Sequence, residues 1–372
     1  MAPPAKSRSV GRALLSVSDK SGLVDFARGL AELDIELVAS GGTAKALREA
    51  GLEVLDVATL TGSPEMLGGR VKTLHPRIHG GVLARRDHEG DRADIEAHEL
   101  RTIDLVVVNL YPFEATVAKP DVTLEEAIEK IDIGGPSMIR SAAKNQAYVG
   151  VVVDPADYDG LLAELRSGQG ALADETRQRL ALKAFERTAA YDAAIQAYLA
   201  AQGGAGEADE ALPPRLEVSL PRVAMLRYGE NPHQKAALYG RFLEAAEPLH
   251  GKALSYNNVV DVQAALALIL EFDPEEEPAV AILKHNTPCG VGTGTTPLEA
   301  YQRAFETDPE SPFGGIIVSS RPFDLPLAQE VDKIFTEVLV APGFDDDALA
   351  LLKKKKNRRL LRFLPEKIDR SQ

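Results

Sequence analysis

The run LVVVNL at 105–110 is apolar and β-branched at consecutive positions, not alternate ones. A strand of this kind has no polar face to turn to water, so it belongs inside a parallel sheet covered on both sides. YVGVVV at 148–153 repeats the pattern, and Thr123 with Glu126 three residues later forms a capping box that opens a helix between the two runs. RALLSV at 12–17 and IELVA at 35–39 read as short strands joined by an amphipathic helix from Ser21 to Leu33. Strands alternating with helices predict an α/β fold around a doubly wound parallel sheet. A long alanine-rich helix over 174–201 closes this part, and a Gly-, Pro- and acid-rich linker follows at 202–222. The expected division is therefore 1–201, a linker, and 223–372. Alternation resumes in the second part, with a helix over 261–272, a strand at 279–283, a helix over 297–306 and a strand at 315–319. The basic run from Lys353 to Arg362 reads as a solvated loop or helix end with no closing element after it.

Charge and cysteine usage narrow the function classes. The net charge is -14, which argues against nucleic-acid binding, because that needs a basic face. A lone cysteine, Cys289, fits a reducing compartment. No stretch approaches 18 uninterrupted apolar residues and the N-terminus shows no leader, so a cytoplasmic protein without membrane contact is expected. An anionic ligand in so acidic a chain must be held by a local cluster of positive groups.

Such clusters occur where predicted strands run out. LLSVSDKSG at 14–22 brings Ser16, Ser18 and Lys20 to a strand's carboxyl end, where doubly wound sheets place ligands, although Ser18 or Asp19 could equally cap the next helix. VASGGTAKAL at 38–47 brings Ser40, Gly42 and Thr43 to a helix start whose free N–H groups suit a phosphate. It is not a Walker A sequence, because the GxxxxGK[ST] spacing is missing. Between Gly68 and Arg86 there are no acids, but Arg70, Lys72, Arg77, Arg85 and Arg86 are present with Thr73 among them. His75 and His79 lie four apart, but Pro76 separates them and no carboxylate follows, so no metal site is expected. NLYPF at 109–113 puts Asn109 and Tyr111 at the same edge. IDIGGPSMIRSAAKN at 131–145 adds Asp132, Gly134 and Lys144, a set able to exchange protons if it converges.

In the second part, LRYGENPHQ at 226–234 carries Arg227 and Tyr228, and ILKHNTPCGVGTG at 282–294 carries Lys284 and His285 into a loop. A Lys–His pair can join an oxyanion partner to a general base, but it can also be a surface ion-pair partner. Gly290, Gly292 and Gly294 imitate a dinucleotide fingerprint with the wrong spacing, and Pro288-Cys289 lacks the second cysteine and the HxE of a zinc deaminase. Neither a dinucleotide nor zinc is expected. A nicotinamide oxidoreductase is thus a weak runner-up.

Taken together, SVSDKSGL, ASGGTAKAL, GGRVKTLHPRIHGG, NLYPF, IDIGGPSMIRSAAKN, LKAFERTAAYD, RYGENPHQ, GKALSYNN, KHNTPCGVG and SPFGGI resemble, in family order, the bifunctional AICAR transformylase/IMP cyclohydrolases of purine biosynthesis. The resemblance implies a methylglyoxal-synthase-like N-terminal domain that closes formyl-AICAR (FAICAR) to IMP. It implies phosphate contacts at Ser16, Ser18, Lys20, Ser40, Gly42 and Thr43, substrate contacts at Arg70, Lys72 and Thr73, and orienting or proton-transfer roles for Tyr111, Asp132 and Lys144, with Lys144 as shuttle and Lys72 adding positive charge. For the second part it implies a cytidine-deaminase-like lobe without zinc that moves a formyl group from 10-formyltetrahydrofolate, a co-substrate and not a tightly bound cofactor, to AICAR. There Arg227, Tyr228, Gly314 and Glu337 would bind the ribotide, His285 would act as base, and Lys284 would stabilise the oxyanion, with Asn257 and Asn258 in a matching loop. Homodimers are implied. The family continues past LLRFLPEKIDRSQ with a second lobe, so the expectation is a complete cyclohydrolase and half a transformylase site, with formyl transfer absent or very weak. The competing expectation is a phosphate-sensing module without catalysis.

Overall fold

The computed structural model describes residues 7–202 and 218–368. The chain separates into two compact units, Met1–Ala211 and Leu212–Gln372. The expected linker at 202–222 lies largely outside the described residues.

The first unit is built on five parallel strands: β1 (Arg12–Val17), β2 (Glu36–Ala39), β3 (Leu55–Asp56), β4 (Leu105–Asn109) and β5 (Gly150–Val152), in the order β3-β2-β1-β4-β5. Helices α1 (Leu23–Ala31) and α2 (Gly41–Glu49) follow β1 and β2. Then come α3 (Pro76–Leu83), α4 (Leu124–Glu129), α5 (Gly134–Lys144) and the long α6 (Asp174–Gln202). The chain steps one way from β1 and the other way from β4. Crossovers between parallel strands are as a rule right-handed and put helices on both faces of such a sheet, which is what the all-apolar strands require. Leu105 to Val108 are indeed buried, and one core joins them to Leu14, Leu15, Val38, Val151 and Ile139. The Thr123–Glu126 capping box forms as expected.

The second unit holds a mixed six-stranded sheet. Its strands are β6 (Ala246–His250), β7 (Ala279–Lys284), β8 (Thr287–Thr293), β9 (Ile316–Ser319), β10 (Val338–Ala341) and β11 (Arg359–Phe363), in the order β6-β11-β10-β9-β7-β8. Helix α7 (Tyr256–Ile269) packs on one face of this sheet and α8 (Pro297–Thr307) on the other. One expectation is corrected here. The basic run does not end in a solvated loop: its second half is β11, an interior strand paired with β6 and β10. The GxGxG segment is a strand whose glycines serve packing. A Cβ at Gly290 would stand 1.9 Å from the Ala304 carbonyl oxygen, and one at Gly292 would stand 2.4 Å from that of Ala300. Their period of two places both on the strand face against which α8 lies.

Candidate functional sites in the two units

The strand order reverses between β1 and β4, and open α/β sheets bind ligands at the carboxyl ends of strands at such a point. A cavity of about 690 Å³ opens there. Ser16, Ser18, Lys20, Ser40, Gly42, Thr43, Arg70, Lys72, Thr73, Asn109, Tyr111, Asp132 and Gly134 all line it. Lys144 does not. It is exposed at the far end of α5, about 15 Å along the axis from Gly134 at the helical rise of 1.5 Å per residue. The expected convergence of Asp132, Tyr111 and Lys144 therefore reduces to Asp132 and Tyr111, because ten residues of straight helix separate the lysine from the cavity.

One end of the cavity is built for an anion. Ser40 precedes α2 with extended backbone and no side-chain cap, so the first-turn N–H groups face outward. Gly41 opens the helix at φ 54°, a left-handed conformation that leaves room above the backbone. A Cβ there would meet the Lys72 Nζ at 3.0 Å, and one at Gly42 would meet the Lys20 Nζ at 3.8 Å, so both ammonium groups overhang this turn. Lys72 is paired with Glu65 at 3.0 Å, and Arg70 with Glu129. Thr43 and Asn109 hold the site rather than face a ligand freely. The Thr43 hydroxyl accepts from the Val17 N–H at 3.0 Å and donates to the Val17 carbonyl at 3.2 Å. The Asn109 amide oxygen accepts from the N–H groups of Ser18 (2.6 Å) and Asp19 (2.9 Å), and its Nδ2 donates to the Asp19 carbonyl at 2.8 Å. The 18–20 loop is thus pinned across the reversal point.

The other end is mixed. Beside the expected Tyr111, Ile128, Ile131, Ile133 and Met138 give it an apolar wall that sequence reasoning missed, since isolated apolar residues carry no motif. Asp132 lies in this wall. Its Oδ1 accepts from the Gly135 N–H at 2.8 Å. Burial raises its carboxyl pKa above the ordinary value, outweighing the backbone N–H groups of Gly135 and Tyr111 that pull the other way. His75 and His79 have structural roles. His75 caps α3 by accepting from the Arg77 N–H, and His79 is half-buried beside the Ser141 hydroxyl at 3.0 Å. Among the described residues no cluster of His, Cys, Asp or Glu could hold a metal ion.

In the second unit, β7 and β8 are joined by His285 and Asn286 alone, at φ 55° and 65°, with Lys284 paired to Thr287. Positive φ at both central residues is the geometry of a type I′ hairpin turn, and asparagine tolerates it better than histidine. The Asp261 carboxylate on α7 accepts from the Asn286 N–H at 2.9 Å and anchors the turn. Burial raises the Asp261 pKa, and the proximity of His285 opposes that rise. Glu337 accepts from Asn258 Nδ2 at 3.1 Å and from Arg359 Nη1 at 3.0 Å. Gly314, at φ 76°, donates its N–H to the Phe335 carbonyl at 2.8 Å, two residues before Glu337. The Arg227 guanidinium stacks 5.1 Å over the Tyr228 ring, and both lie near enough to Arg359 to influence its charge. Asn257 is exposed, its Nδ2 3.5 Å from the Glu230 carbonyl. Lys284 and His285 do not act as one pair. Strand alternation puts Lys284 with Val280 and Ile282 on the α8 face, near Asp308 and Cys289, while His285 lies toward Asp261 on α7. Asp261 and Arg359 were not legible in the sequence, the one being an ordinary helix residue and the other buried in a basic run.

Residues 22–137 match the MGS-like domain, and residues 142–372 match the AICARFT/IMPCHase bienzyme family. The "Bifunctional purine biosynthesis protein PurH" of Chlorobium phaeobacteroides is 54% identical over 361 residues, covering 95% of this chain and 68% of that protein. The protein of the same name from Chloroflexus aurantiacus is 55% identical over 352 residues, covering 95% and 67%, and that from Bacillus cytotoxicus is 53% identical over 362 residues, covering 96% and 69%. These matches favour an enzyme over a non-catalytic sensing module. The chain belongs to the AICARFT/IMPCHase bienzyme family, purine-biosynthesis enzymes that pair AICAR formyl transfer with IMP cyclohydrolase activity.

Proposed function

We propose that the cavity of the first unit closes FAICAR to IMP. The observation that carries this reading is the meeting, in one cavity, of residues from separate stretches of sequence at 16–20, 40–43, 70–73, 109–111 and 132–134. The ribotide phosphate sits at the start of α2, on its free N–H groups, with Ser16, Ser18 and Ser40 around it and Lys20 and Lys72 above. The heterocycle lies against Tyr111, Ile131, Ile133 and Met138, with Asp132 at its amide edge.

The reaction needs no second reactant. The carboxamide nitrogen attacks the formyl carbon of the same molecule and loses one proton as the C–N bond forms; the formamide nitrogen then loses its proton as the ring C=N bond forms and the C–O bond breaks, and the oxygen leaves with two protons as water. Holding both ends in attack geometry supplies much of the rate. Asp132, its pKa raised by burial, takes the proton from the attacking nitrogen. The Tyr111 hydroxyl donates to the formyl oxygen and Arg70 stabilises the charge that develops there, while Lys72 adds positive charge from the phosphate side. Glu65 and Glu129 release these two cations to the ligand.

In the second unit, Arg227, Tyr228, Gly314 and Glu337 receive AICAR, with Asn257 in the adjoining loop. His285 accepts the proton of its amine during formyl transfer from 10-formyltetrahydrofolate. Asn258 and Arg359 fix Glu337, and Asp261 fixes the His285 turn. Lys284, on the other face, is left out of this set. A homodimer located in the cytoplasm completes the proposal. Among the described residues no helix is long and apolar enough to cross a membrane.

The test is a pair of assays on the purified chain, one with FAICAR alone and one with AICAR plus formyl donor. IMP is expected to form from FAICAR, and Asp132→Ala is expected to abolish that step. A chain that binds IMP yet fails to turn over FAICAR would remove the assignment. Light scattering checks the dimer.

A further inference from the structure

Asp132 sits in the connection between α4 and α5, and a segment without helical hydrogen bonds does not by itself hold a carboxylate still. Its main chain is fixed from outside. The Tyr191 hydroxyl, reaching across from α6, accepts from the Asp132 N–H at 2.9 Å and donates to the Lys130 carbonyl at 3.1 Å. One phenol thus satisfies two backbone groups on either side of Ile131. Tyr191 is fully buried, with its ring edge-on to Phe113 at 6.1 Å and the Arg187 guanidinium 5.5 Å over its face. Arg187 is held in turn by Glu114 at 2.5 Å. Burial raises the phenol pKa, so the group stays protonated and keeps its donor role.

We infer that Tyr191 is a positioning residue for Asp132: it fixes the backbone from which the carboxylate reaches the Gly135 N–H and the reacting amide. The inference rests on the reading of this cavity as the cyclohydrolase site. Tyr191 touches no substrate, since the cavity is lined by Asp132 and its neighbours and not by α6. Its effect must therefore appear in turnover and not in phosphate binding, which belongs to the loops after β1 and β2.

The experiment compares Tyr191→Phe, Phe113→Leu and Asp132→Asn in FAICAR cyclisation, with a melting curve for each. Tyr191→Phe keeps the ring and its packing and removes only the oxygen. Its kcat is expected to fall about 10- to 100-fold, as a small misplacement of a catalytic group does, with KM within about twofold. Phe113→Leu disturbs the same packing but leaves the hydroxyl, so it is expected to lower the melting temperature without the kcat loss. Wild-type kcat in Tyr191→Phe beside an inactive Asp132→Asn would overturn the positioning role and leave the site intact. A loss of kcat that merely tracks melting temperature in both Tyr191→Phe and Phe113→Leu would also overturn it. Full activity in Asp132→Asn would remove the site assignment, and this inference with it.

Discussion

Gly135, the second residue of α5, offers a steric probe of the same carboxylate. A Cβ at this position would stand 2.4 Å from Asp132 Oδ2, 2.9 Å from its Cγ and 2.7 Å from Leu110 Cδ2. Ordinary van der Waals contact begins near 3.4 Å, so in Gly135→Ala the carboxylate must retreat by about 1 Å. Leu110 is 6% exposed and cannot swing aside into solvent. Two opposing effects set the stability. Alanine gains about 1 kcal/mol over glycine in a helix, whereas overpacking a dense site costs about 1–3 kcal/mol. The net is about 0–2 kcal/mol of destabilisation, which lowers the melting temperature of a unit this size by no more than about 8 °C. Turnover has no such compensation, because a shift of about 1 Å in a reacting group costs up to about 100-fold. Cyclisation of FAICAR, followed by the ultraviolet absorbance of IMP, is therefore expected to lose kcat far out of proportion to stability. Gly134→Ala is the internal comparison: its Cβ meets Thr73 Oγ1 at 3.0 Å, a lighter contact that leaves Asp132 alone. A Gly135→Ala protein whose kcat stays within twofold of wild type would refute the placement of Asp132 at the reaction.

Other perturbations separate the remaining roles. Lys20→Met and Lys72→Met each remove an ammonium from the start of α2, and each is expected to weaken IMP binding about 10- to 100-fold, the worth of a charged hydrogen bond. Titration calorimetry at two salt concentrations should show a shallower salt dependence in both variants, while Lys144→Met, outside the cavity, should bind IMP as wild type does. His285→Gly relieves a left-handed histidine and is expected to raise the stability of the second unit by up to about 1 kcal/mol while abolishing AICAR formylation; a melting curve and the formyl-transfer assay read the two effects. The His79 pKa is lowered by burial below its ordinary 6.5, so the unfolded chain binds the proton more readily and stability falls as pH drops through that value. His79→Gln should flatten the loss of melting temperature between about pH 6.5 and 5, and an unchanged slope would show that other groups set it.

Much of the fold can be read from local pattern. Consecutive apolar residues at 105–108, three of them β-branched, suit a covered parallel strand, and the Thr123–Glu126 box fixes a helix start by its own hydrogen bonds. Residues at the cavity were legible for a related reason. In a parallel α/β sheet every strand's carboxyl end faces the same way, so polar residues that follow β1, β2 and β4 are bound to meet. Motifs that depend on what packs against them were not legible. The alternating glycines of β8 have the composition of a phosphate loop, and only α8 lying on them shows that they are there for close approach. Arg359 reads as one more charge in a basic run until β11 is seen in the sheet interior, with its guanidinium on Glu337 and the Ala253 carbonyl.

The sequence alone determined the strand–helix alternation, the edge of the sheet that carries the chemistry and the family, because these depend on residue type and short spacing. The tertiary structure alone decided three further points: that Lys144 stands a helix length from the cavity, that Lys284 and His285 turn to opposite faces, and that a tyrosine 59 residues after Asp132 holds it in place. Direction along a helix, parity along a strand and contacts between distant segments become definite only when the elements are packed, and local pattern carries no record of them.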